Sequence, residues 1–61
     1  MTFTAKQKLE AVERELSYRR RVYVNRVLTH RMTQELADRQ IAIFEAIRDD
    51  YIKAEKKERL I

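Results

Sequence analysis

The 61 residues contain neither glycine nor proline, and that absence constrains the fold more than any other feature of the chain. Tight β-hairpins draw on glycine for positive backbone dihedrals, and phosphate-cradling loops draw on it for close backbone approach. A small β fold or a P-loop is therefore excluded as a working expectation. What remains is rich in Ala, Leu, Glu, Lys, Arg and Gln, the residues with the strongest intrinsic helix preference. Cysteine is absent too, so neither a disulfide framework nor a thiolate metal site can form. A lone histidine cannot build a histidine-rich metal centre.

Two start signals divide the chain. Thr4 is followed three residues later by Gln7, a capping-box spacing in which hydroxyl and amide satisfy one another's backbone N–H groups. Thr33 is followed by Gln34 and Glu35, the latter a negative charge in the first turn, where the helix dipole favours it. His30 and Arg31 are cations suited to the end of the preceding helix. The spacing predicts one domain over residues 1–61: a helix at about 5–29, a loop at about 30–33 and a helix at about 34–58. A connection this short folds two helices into an antiparallel hairpin.

At about 100° per residue, Ala5, Leu9, Val12, Leu16, Tyr23 and Val27 gather on one side of the first helix. Leu36, Ile43, Ile47, Tyr51 and Ala54 gather on the second, with Phe44 at the flank. These stripes are expected to meet. Ala11, Tyr18 and Val22, and on the second helix Ile41 and Ile52, fall outside them. One hairpin has one internal seam, and a chain this short struggles to bury enough apolar surface by itself. The expectation is an all-α, coiled-coil-like hairpin that dimerises into a four-helix bundle.

The chain has 14 basic and 10 acidic residues, a formal net of +4. Residues 1–31 hold eight basic and three acidic side chains, net +5, and residues 32–61 hold six and seven, net −1. Arg19, Arg20 and Arg21 form the one tight cationic run, with Arg14 and Arg26 around it. Arg20 falls near the centre of the first apolar stripe, where a charge needs a partner, and Glu45 and Asp49 are the acidic candidates by register: a structural ion pair. Arg14, Tyr18, Arg19, Arg21 and Arg26 read as a surface for a partner protein or for nucleic acid, with guanidinium groups for phosphates and tyrosines for stacking on bases. Glu45, Asp49 and Asp50 are acidic neighbours, but a helical hairpin offers no concave pocket for acid–base chemistry. No catalytic, cofactor-binding or metal-ligating residue is assigned, and no cofactor or small-molecule substrate is expected.

Arg14-Glu15-Leu16, Arg19 to Tyr23, Met32-Thr33, Ala37-Asp38-Arg39, Ile41 to Ile47 and Asp50-Tyr51 together make a recognisable pattern. It resembles a group of short proteins encoded in phage and prophage regions of proteobacterial genomes, over roughly residues 9–52. Many of those chains carry Pro after the Tyr and Gly in the break; here those places read Val24 and, near the break, His30 and Arg31. The departure implies a more continuous first helix. The resemblance supplies a context and no catalytic residues.

The apolar runs reach only three or four residues, as at Ile41 to Phe44, far short of the roughly 20 that a membrane span needs. The first ten residues lack the apolar stretch of a signal peptide. A cytoplasmic protein of a bacterial host is expected. The function expected is that of a non-enzymatic phage or prophage accessory protein, a homodimer that acts through helix surfaces on a host or phage protein. The alternative is a nucleic-acid-binding hairpin dimer using the arginine-rich first helix.

Overall fold

The computed structural model describes residues 2–60. Helix α1 runs over Ala5–Leu28 and helix α2 over Gln34–Arg59, and the two pack against each other. Among the described residues there is no strand. The result is a rod of 48 × 19 × 16 Å.

Local chemistry accounts for every helix end near the loop and for the start of α1. The Thr4 hydroxyl accepts from the Gln7 N–H at 3.1 Å, and the Gln7 side chain accepts from the Thr4 N–H at 2.9 Å, which closes the capping box. The Thr33 hydroxyl accepts from the Leu36 N–H at 3.1 Å and starts α2. Helix α1 ends after Leu28 although no glycine is present. His30 takes the left-handed conformation, with φ of 58°. Its N–H donates to the Val27 carbonyl at 3.1 Å, and the Arg31 N–H donates to the Arg26 carbonyl at 2.8 Å. These two bonds are the pair that defines a Schellman cap. Histidine is one of the few side chains enriched in this region of backbone space.

The seam repeats at intervals of four and three residues. On α1 it passes through Ala5, Leu16 and Tyr23, all buried, with Leu9, Val12, Arg19 and Val27 half-buried between them. On α2 it passes through buried Ala37 and half-buried Ile41, Phe44, Arg48, Tyr51 and Glu55. Such alternating spacing keeps one stripe against a neighbouring helix.

The α2 seam lies one residue on from the stripe expected from the sequence. Leu36 and Ile43, expected inside, are 46% and 44% exposed. Ile41 and Ile52, expected outside, are half-buried, and Phe44 moves from the flank to the seam. One residue is about 100° of rotation. The physical reason is the aromatic content: this rotation brings Phe44 against α1 while keeping Tyr51 there, and aromatic rings carry the largest apolar area per residue. Arg48 and Glu55 tolerate the seam because their aliphatic stems can lie along it while their charged ends reach Asp49 and Arg59.

Three contacts set the register. Arg20 meets Glu45, Arg19 meets Phe44 and Ala5 meets Glu58. Residues whose numbers add to about 64 therefore stand at one height on the rod.

Candidate interaction surface

Arg20 keeps a cross-helix ion pair with Glu45, and Arg19 joins it as a structural arginine. Arg19 was placed on an open partner surface. It lies instead over the Phe44 ring, its guanidinium carbon 4.3 Å from the ring centroid. Its Nε donates to Glu15 at 2.7 Å and its Nη1 to the Tyr23 hydroxyl at 2.9 Å. The hydrogen bond with Tyr23, then that with Glu15, holds its pKa above the ordinary arginine value. Arg19 is thus a strut of the fold, fixing Phe44 from above and Tyr23 from the side.

Arg20 pairs with Glu45, Nη2 to Oε2 at 3.0 Å, with the two side chains 49% and 39% exposed. The seam runs through position 19 here, so the shelter expected for Arg20 does not exist. Asp49, its other expected partner, belongs elsewhere: its Oδ1 accepts from Arg48 at 3.1 and 3.2 Å. The neighbour in sequence captures it before a cross-helix partner can.

Arg14, Tyr18, Arg21 and Arg26 are exposed. Arg14, Tyr18 and Arg21, spaced i, i+4 and i+7, share one face of α1, while Arg26 lies off it. Lys8 reaches toward the Tyr51 ring, 6.0 Å from its centroid. Among the described residues, no group of three or more His, Cys, Asp or Glu side chains could hold a metal ion. No helix there is long and apolar enough to cross a membrane.

The structure also assembles a surface that the sequence stripes did not single out. At the loop end, Val24, Val27 and Leu28 of α1 face Ala37 and Ile41 of α2 across an open groove of about 380 Å³. Val24 is 61% exposed and Leu28 73% exposed on its edge. The signal available in the sequence was the i, i+4 pair Val24 and Leu28, one position on from the seam. The groove is mostly apolar, with Arg20, Gln34 and Asp38 as the polar side chains of its lining.

The chain matches no family model, no curated protein and no solved structure.

Proposed function

We propose that this protein is a non-catalytic interaction module, a phage or prophage accessory protein that works as a homodimeric four-helix bundle and binds another protein through its helix surfaces. The observation that carries the reading is the balance of apolar side chains. Among the described residues four hydrophobic side chains are buried, two of them alanines, whereas seven large ones, from Phe3 to Leu60, stay at least 44% exposed. Clustered exposed apolar side chains at helical spacing mark association surfaces.

Two measures of size support association with a second copy. The accessible surface is 5220 Å², against about 4,200 Å² for a compact monomer of 7.4 kDa. The excess, about 1,000 Å², is close to the roughly 800 Å² that each partner loses in a standard interface. The radius of gyration is 14.2 Å, where a compact 61-residue chain has about 10.5 Å and a compact chain of twice that length about 13.7 Å.

The arginine run weighs against nucleic acid as the main ligand. Arg19 and Arg20 already have carboxylate partners, which leaves Arg14 and Arg21 on one face of α1 and Arg26 well round from them. A pull-down from a bacterial lysate, run with the wild type and with Leu28→Glu, tests the reading. A protein retained by the wild type and lost with Leu28→Glu supports it. Retention of nucleic acid that falls steeply with salt, with no protein retained, overturns it.

A further inference from the structure

The stripe one residue behind the seam, on both helices, is where a second copy docks, we infer, with a two-fold axis running along the rod; this deepens the dimer reading above and rests on it. The helices face each other and run in opposite directions. Stepping back one residue from the seam therefore turns α1 and α2 toward the same side of the hairpin. On α1 that step leads to Ala11, Tyr18 and Val22; on α2 it leads to Leu36, Ile43 and Ile47. Tyr18, Leu36 and Ile43 are 56%, 46% and 44% exposed, and Val22 and Ile47 are half-buried.

Two stripes about 100° apart on each helix are what a four-helix bundle requires, because every helix there touches two neighbours. The opposite side of the hairpin does not qualify. Taking the thirteen seam positions and stepping forward by one, eight carry charge, the Arg20–Glu45 pair among them. Stepping back by one, four do: Lys8, Glu15, Arg26 and Asp50, of which Glu15 is already neutralised by Arg19.

The stripe also complements itself. Equal height on the rod means residue numbers that add to about 64, from the Arg20–Glu45 and Arg19–Phe44 contacts. An axis along the rod sets α1 of one copy against α2 of the other at equal height. Ala11 then meets Ala54 of the second copy, Tyr18 meets Ile47 and Val22 meets Ile43, each pair adding to 65. At the rim, Arg14 and Asp50 add to 64, and neither makes an ion pair among the described residues. Opposite charges at matching height on the two edges of one apolar stripe favour this copy-to-copy register.

Three measurements decide it. In sedimentation equilibrium the wild type is a dimer, Ile43→Arg raises the dissociation constant at least about tenfold while keeping its helical spectrum, and Ser17→Arg, on the opposite side, leaves it unchanged. Since the chain has no cysteine of its own, mixed Val22→Cys and Ile43→Cys chains report the register directly, by forming a disulfide between chains on oxidation. A folded wild type that stays monomeric at all concentrations removes the dimer itself. A dimer that survives Ile43→Arg, is dissociated by Leu28→Arg and gives no disulfide between positions 22 and 43 leaves the dimer standing and overturns the assignment of this face.

Discussion

The carboxylate of Glu58, at the far end of α2, accepts from the backbone N–H of Ala5 in the first turn of α1, at 3.0 Å through Oε2 and 3.2 Å through Oε1. The first turn of α1 has no acidic residue of its own, and Lys6 and Lys8 lie in or beside it. An N-terminus so placed favours a nearby anion, both for its unpaired N–H groups and for the helix dipole. Glu58 supplies one from 53 positions away in sequence and ties the open end of the hairpin shut.

Glu58→Gln keeps the shape and removes the charge. The expected loss is about 0.5–1 kcal/mol of stability, the usual size of a capping or dipole contribution. Urea melts at low salt and in molar salt check the cause. The difference from wild type shrinks in high salt, because screening weakens the charge–dipole attraction that only the wild type has.

Arg19 and Arg20 separate in the opposite order from the sequence expectation. Arg20→Ala removes a half-exposed ion pair, worth about 0–1 kcal/mol. Arg19→Ala uncovers Phe44 and breaks the bonds to Glu15 and Tyr23, so it shows the larger fall in thermal midpoint. Arg19→Lys does not restore it fully, since an ammonium cannot serve two acceptors with a planar fork while stacking on a ring. Equal falls for Arg19→Ala and Arg20→Ala would contradict the seam through position 19.

His30→Gly stabilises the hairpin by about 1 kcal/mol. His30 has φ of 58° with both Schellman bonds in place, and glycine occupies that region without a Cβ penalty. His30→Val moves stability the other way, because a β-branched side chain is a poor fit to positive φ. Chemical denaturation of the two variants reads both signs.

Leu16 is the most buried side chain, 2% exposed, in a core of four residues. Leu16→Ala costs about 2–5 kcal/mol, the range for emptying a packed site. In a chain this small that is most of the total stability, so its circular dichroism at 25 °C falls toward the unfolded value.

What the sequence determined by itself is local. Thr4 with Gln7 and Thr33 with the Leu36 N–H mark helix starts because capping acts over three residues, a distance along the chain that composition and spacing display directly. The first-helix stripe was legible for a similar reason: Ala5, Leu9, Val12, Leu16, Tyr23 and Val27 outweigh the second strip at Ala11, Tyr18 and Val22, and the structure puts the seam there. The second helix has two apolar stripes one residue apart, one through Leu36, Ile43 and Ile47 and the other through Ile41 and Phe44, with Tyr51 on the border of both. Periodicity weighs them almost equally. Only packing against α1 chose between them, because the two aromatic rings fill the space opposite α1 and Arg19 then closes over Phe44. That choice fixed the rest: it left Ile43 outside, put Arg20 beside the seam instead of in it, and raised the loop-end groove at Val24, Leu28 and Ile41. The Glu58–Ala5 clasp belongs to the same class, since a hydrogen bond spanning nearly the whole chain exists only once two helices lie side by side in one register.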